Sequence, residues 1–185
     1  MKFFAITPWN FSFQDVLQNL TSLQDKGVSF LYLRSHLLSG CLERLIEAVN
    51  SAGILPLIPF KLSKNFKGHP FGIHFKSAET GLLTENFSSS HVLTTASCHD
   101  STDAVWLLEG PVDYVFISPV FKPFSKPDDA RELFPRSRMK ELIATFGERV
   151  VALGGLNPER IDILQKDLQH DFSVAGIGMF FGNEK

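Results

Sequence analysis

Eight short runs of apolar, β-branched or aromatic residues recur along the chain, and segments with helical spacing separate most of them. The runs are Phe3 to Thr7, Val28 to Leu33, Ile54 to Ile58, Phe71 to Phe75, His91 to Thr95, Val112 to Ile117, Val150 to Leu153 and Phe172 to Ala175. Runs this short, apolar at consecutive positions, are the pattern of parallel strands buried on both faces. Between the first two, residues 13–26 place Val16, Leu17, Leu20 and Leu23 on one helical face, with Ser12 as N-cap and Gly27 as stop. Residues 41–52 do the same with Leu42, Leu45, Ile46 and Val49, ended by Gly53. Lys61 to Pro70 holds only a short helix or a turn, and a helix is expected around 78–87. Asp100 or Ser101 caps a helix bearing Ala104, Val105, Leu107 and Leu108. A further helix is expected over 137–146, and Asn157-Pro158-Glu159 is a cap followed by proline at the first helical position, for a helix with Ile161 and Leu164.

Strand and helix alternating eight times predicts an α/β fold, the (β/α)8 TIM barrel. The competing architecture is an open doubly wound sheet, which carries its Gly-rich loop after the first strand. Here Thr7-Pro8-Trp9 follows the first run, whereas Gly154-Gly155 and Gly176-Ile177-Gly178 follow the last two. That is where barrels build a phosphate site, and glycine lets backbone N–H groups approach an anion. The barrel departs from its ideal at the end. Seven residues follow Gly178, which predicts a truncated final helix and leaves an apolar seam between the last and first strands. Met179, Phe180 and Phe181 folding back, or a homodimer formed through this segment, would cover it.

A length of 185 residues with 44% apolar content predicts one globular domain spanning residues 1–185. A net charge of −2 provides no general attraction for nucleic acid or an anionic membrane, so a bound anion must be held by local groups, and phosphorylated small molecules are the expected partners. No run approaches the ~18 apolar residues that cross a bilayer, and no charged segment precedes an apolar one at the start, so the expectation is a cytoplasmic protein. Cys41 and Cys98 form no CxxC pair and read as small buried residues in a reducing compartment. The 18 Phe against 2 Tyr and 2 Trp read mostly as core, with Phe121 and Phe124 as candidates to wall a pocket. Those two belong to the stretch from Val112 to Lys126, where an apolar run breaks at Ser118-Pro119 into a loop bearing Lys122, Ser125 and Lys126. This is either an ordinary buried strand with a polar loop or a strand delivering a loop to a site.

Ordered motifs along this frame resemble thiamine phosphate synthase and its TenI-like relatives. Tyr32-Leu33-Arg34 is similar to the family's Q/H-L-R strand end, and Gly72-Ile73-His74-Phe75 to its G-V-H-L. Ser97-Cys98-His99 resembles S-x-H, and Asp113 to Phe121 resembles D-Y-V-x-x-G/S-P-V-F. Lys126 falls on the lysine of a T/S-K loop, and Val151 to Leu156 on V-A-I-G-G-I. The resemblance implies the same barrel and a reaction joining hydroxymethylpyrimidine diphosphate to a thiazole phosphate with loss of pyrophosphate. It implies Arg34 and Lys126 as catalytic cations on the diphosphate, assisted by Ser125, and Gly154, Gly155, Ile177 and Gly178 around the thiazole phosphate. Tyr32, His74, Ser97, His99 and Ser118 join them as substrate-contacting candidates.

The resemblance also implies magnesium, held by carboxylates after the third and fourth strands. The first position falls in Ile58-Pro59-Phe60-Lys61, which has no carboxylate, and Glu79 alone stands in for the second. Lys61 is a candidate cation where the metal would sit. Ser35-His36 replaces a family lysine. His74 and His99 read first as hydrogen-bonded packing residues, and their spacing gives no metal-ligand motif. The family's tautomerase branch uses a histidine where this chain has Ser118, so that chemistry is not implied. Three functions stay open: a thiamine phosphate synthase-like transferase, a catalytically reduced TenI-like protein that binds thiazole phosphate or thiamine phosphate, and an unrelated phosphate-handling barrel enzyme.

Overall fold

The computed structural model describes residues 1–63, 69–83, 93–122 and 130–182. Its eight strands close into a barrel in sequence order: β1 (Phe3–Ile6), β2 (Phe30–Tyr32), β3 (Leu55–Pro59), β4 (Gly72–Phe75), β5 (Thr94–Cys98), β6 (Tyr114–Ile117), β7 (Val150–Leu153) and β8 (Ser173–Gly176). Every neighbouring pair is parallel, and β8 returns to β1 through Phe3↔Val174, Phe4↔Ala175 and Ala5↔Gly176. The helices are α1 (Phe13–Asp25), α2 (Leu42–Ser51), α3 (Phe60–Ser63), α4 (Ser101–Glu109), α5 (Arg136–Phe146), α6 (Pro158–Leu168) and α7 (Gly178–Phe181). This is the (β/α)8 barrel that the alternation of runs predicts.

The strands alternate their side chains between two environments, as a period of two requires. Phe4, Ile6, Phe30, Tyr32, Leu57, Phe116, Val151 and Ala175 fill the interior. The phenylalanines find their use here: Phe4 stacks on Phe30 at 4.3 Å and meets Tyr114 and Phe116 edge-on at 5.1 Å. Gly72 faces this filled space because a Cβ there would lie 2.4 Å from Leu57 Cδ2 and 2.9 Å from the Leu93 carbonyl. The opposite faces pack under the helices, Ala5, Leu31 and Ile58 against Val16, Leu20, Leu23 and the inner stripe of α2. Ser12, Asp100 and Asn157 cap α1, α4 and α6 through their side chains, which settles the cap of α4 in favour of Asp100.

Two boundaries differ from the sequence expectation. The fifth strand is Thr94–Cys98 rather than His91 to Thr95, so Ser97 lies within it. Residues such as Ala96 and Ser97 have modest strand preference, and tertiary pairing with Tyr114–Ile117 overrides it. The segment after β4 is a 3-10 helix over Ser77–Leu82, and residues 84–92, where a longer helix was expected to end, lie outside the described residues. The segment after β3 opens with the single turn of α3, in keeping with the short helix or turn expected there.

The seam at β8 and β1 is covered by the chain's own α7. Phe180 is 4% exposed and its ring meets Phe3 edge-on at 6.3 Å, while Phe181 packs on Phe11 at 5.0 Å. Lys26 Nζ donates to the Phe180 carbonyl at 2.7 Å, capping a turn too short to satisfy its own carbonyls. Among the described residues no helix is long and apolar enough to cross a membrane.

Candidate functional site

The C-terminal ends of parallel barrel strands are where loops can converge, and here several strand ends are fixed by distinct polar contacts. Thr7, fully buried beyond β1, accepts from the Arg34 N–H at 2.8 Å and the Ser35 N–H at 3.3 Å, and its hydroxyl donates to the Tyr32 carbonyl at 3.3 Å. One hydroxyl thereby sets the turn that presents Arg34. Ser35, 3% exposed, directs its hydroxyl to the carbonyls of Trp9 and Phe11 and accepts from the Leu37 N–H. It serves the loop structure, while its neighbour His36 lies exposed beside Trp9, ring centroids 5.0 Å apart.

Tyr32 points into the barrel and packs on His74, with centroids 4.4 Å apart. Its phenol oxygen is buried and has no hydrogen-bond partner among the described residues. Burial drives its pKa well above the ordinary phenol value, with Arg34 opposing and Glu79 adding to the rise, so the group stays protonated. His74 is 3% exposed; Nδ1 lies 2.8 Å from Thr95 Oγ1 and Nε2 lies 2.9 Å from Ser97 Oγ. Burial, aided by Lys76, lowers its pKa to about 3, so the imidazole is neutral and links β4 to β5. Ser97 is thereby oriented by His74, and Thr95, which the sequence reading passed over, completes the pair. The only sequence signal for Thr95 is its position two residues before Ser97 on one strand face.

His99 is exposed at the end of β5 and donates from Nδ1 to the Ser118 carbonyl at 2.8 Å, leaving Nε2 as the acceptor nitrogen in its neutral form. Ser118 is 5% exposed, with Oγ 3.1 Å from the same His99 nitrogen, and its own N–H continues the ladder onto the Cys98 carbonyl at 3.1 Å. Asp113, at the opposite end of β6, accepts from the Thr94 N–H at 2.7 Å, a strand-pairing role remote from the mouth.

The loop after β6 is clamped to the loop after β7. Val120 and Phe121 donate from their N–H groups to the Leu153 and Gly154 carbonyls at 2.9 and 3.1 Å. Arg160 Nη1, from α6, donates to the carbonyls of Lys122 at 3.2 Å and Gly155 at 2.5 Å. The guanidiniums of Arg160 and Arg136 each lie 5.0 Å from the Phe121 centroid, so this ring anchors the loop. Gly154 and Gly155 adopt φ of 102° and 63°, and a Cβ on Gly155 would fall 2.4 Å from the Lys122 carbonyl. Glycine is thus required for the clamp itself, apart from any ligand. The N–H groups of Gly155 and Gly178 donate to nothing among the described residues, and the Ile177 side chain packs on the barrel interior. Phe124, Ser125 and Lys126 lie outside the described residues.

Glu79 is nearly buried after β4. Its Oε2 accepts from the Lys76 N–H at 3.0 Å and its Oε1 lies 3.7 Å from Lys61 Nζ. Pro59 and Phe60, at the end of β3, carry no metal donor, and Phe60 stacks on Phe75 at 4.5 Å. Among the described residues no group of three or more His, Cys, Asp and Glu is placed to hold a metal ion. The described residues therefore do not fit a dedicated magnesium site.

A closed parallel barrel with polar side chains at its strand C-termini, and the positive-φ glycines Gly154 and Gly155 just beyond β7, defines a TIM-barrel protein of the kind that builds its site from the βα loops. The chain belongs to the thiamine monophosphate synthase (TMP-TENI) family, which matches residues 62–175, more than half of its length. Comparison with curated protein sequences finds no significant match. Among solved structures, the fold is similar to thiamine phosphate pyrophosphorylase from Pyrococcus furiosus (TM-score 0.72, 16% identity, 99% of this chain and 88% of that one). It is also similar to (S)-3-O-geranylgeranylglyceryl phosphate synthase from Thermoplasma acidophilum, solved with sn-glycerol-1-phosphate (TM-score 0.62, 11% identity, 99% and 87% covered). The YdjI aldolase of Escherichia coli K12 matches at TM-score 0.64 with 10% identity, covering 96% and 75%. At these identities the likeness to solved structures is one of fold.

Proposed function

We propose that the chain is a thiamine phosphate synthase-like transferase, joining hydroxymethylpyrimidine diphosphate to thiazole phosphate. The methylene C–O bond breaks and its electron pair leaves with pyrophosphate; the thiazole nitrogen then places its lone pair on the stabilised pyrimidine cation, forming the C–N bond. Such a reaction needs positioning and charge neutralisation more than proton transfer. Arg34, Lys126 and Ser125 serve the diphosphate, and the backbone from Gly154 to Gly155 and from Ile177 to Gly178 serves the thiazole phosphate. Tyr32, His74, Ser97, His99 and Ser118 line the space between. The observation that carries the reading is the pair of unengaged N–H groups, Gly155 and Gly178, at the ends of the adjacent strands β7 and β8. Backbone donors of this kind suit a phosphate. Incubation with both substrates, followed by chromatography for thiamine phosphate, tests it: product formation supports the transferase.

A second reading, a TenI-like protein that binds thiazole phosphate or thiamine phosphate without turnover, is favoured by Pro59 and Phe60 at the end of β3. Tight binding of thiamine phosphate with no product under any condition would select it over the transferase.

A further inference from the structure

The two strand ends that should share a divalent cation are instead joined by an ion pair. Lys61, one residue into α3, reaches Glu79 in the 3-10 helix after β4, with Nζ 3.7 Å from Oε1. The carboxylate is the fixed partner: its side chain is 10% exposed and its other oxygen holds the Lys76 N–H. The lysine is the exposed partner, 77% open to solvent. Glu79 is a single carboxylate with one oxygen already held by a backbone N–H, and one remaining oxygen is a poor site for magnesium, which demands a near-octahedral oxygen shell. Positive charge is nonetheless present. β2, β3 and β4 are neighbours in the barrel, so Arg34 beyond β2, Lys61 beyond β3 and Glu79 beyond β4 share one quarter of the mouth.

We propose that this quarter of the mouth binds the diphosphate group of its substrate without a divalent metal, the Lys61 ammonium supplying the neutralising charge beside Arg34. The inference rests on the proposed function in taking a diphosphate as the ligand. An exposed ion pair is worth little, so the ammonium leaves Glu79 for an incoming anion at small cost. Its four-carbon stem and three rotatable donors let it follow phosphate oxygens that a rigid donor would miss. Glu79 holds the lysine over the mouth while no ligand is present.

Titration calorimetry of the full chain with inorganic pyrophosphate tests this. The expected result is binding in excess EDTA that magnesium leaves unchanged or weakens, because magnesium pyrophosphate brings less negative charge to the lysine. Lys61→Ala should weaken that binding about tenfold, the scale of one charge-assisted hydrogen bond, and Lys61→Arg should retain most of it. Both variants should melt with the parent, since the side chain is exposed. A magnesium requirement would overturn the inference and leave the proposed transferase standing. Equal binding by Lys61→Ala in EDTA would overturn the lysine's part. Absence of pyrophosphate binding in every condition would overturn the inference and the diphosphate chemistry together.

Discussion

Tyr32 and His74 touch each other in the barrel and answer burial differently. His74 satisfies both nitrogens on hydroxyls and gives up its charge, whereas Tyr32 keeps its proton and leaves the phenol unpaired. A buried unpaired hydroxyl costs stability that an apolar replacement recovers. Tyr32→Phe should therefore raise the unfolding free energy of the unliganded chain by about 1 kcal/mol while weakening ligand binding. Urea denaturation with and without thiamine phosphate separates these effects, and a loss of stability in the free variant would show that the phenol is structural. For His74 burial brings the folded pKa to about 3, below the ordinary imidazole value of 6.5. The unfolded chain then binds more protons between those values, so stability is full above pH 6.5 and declines as pH falls toward 3. Replacing His74 by Gln should flatten the stability profile between about pH 5 and 6.5, above the range where Asp15, Asp100 and Glu148 titrate. An unchanged slope in that window would place the proton uptake elsewhere.

At the scale of elements, the loops after β6 and β7 behave as one unit. Phe121 lies against two guanidiniums, Arg160 ties Lys122 to Gly155, and Gly155 has the one backbone conformation that lets the Lys122 carbonyl approach. A side chain there meets both the positive φ and the carbonyl. Gly155→Ala should destabilise the chain by roughly 1–3 kcal/mol and impair phosphate binding at the same time. Thermal melts combined with thiazole phosphate titration check this; a variant as stable as the parent would show that the clamp is slack. Arg34 is placed by a similar device, the Thr7 hydroxyl that reaches from the end of β1 to the end of β2. Strand identities and most helix faces were legible because apolar spacing reports burial directly. The fifth strand was misplaced because its residues are small, and small residues become strand through pairing with β6 more than through their own preference.

For the whole molecule, closure of the barrel depends on how the last strand is covered. Phe180 carries that contact, and Phe180→Ala should cost about 3–5 kcal/mol by emptying the space between β1 and α1. The same segment bears on assembly. Phe181 is only partly buried, and we propose that a homodimer buries the remaining seam surface. Sedimentation at micromolar concentration decides, and a monomer would show that α7 alone suffices. The amino-acid sequence by itself determined the barrel, the order of its strands and the glycine-bearing ends of the last two, because each is written in local periodicity and turn chemistry. Only the tertiary structure decided which polar atoms are already spent. Ser35 is consumed by its loop, Glu79 is engaged by Lys61 and Lys76, and Ser97 is aimed by His74, while Tyr32 is left unpaired. Apart from Lys76, three residues before Glu79, these partners lie far apart in the chain, and no local pattern records them. Their pairing follows from the register of neighbouring strands, which exists only once the barrel has closed.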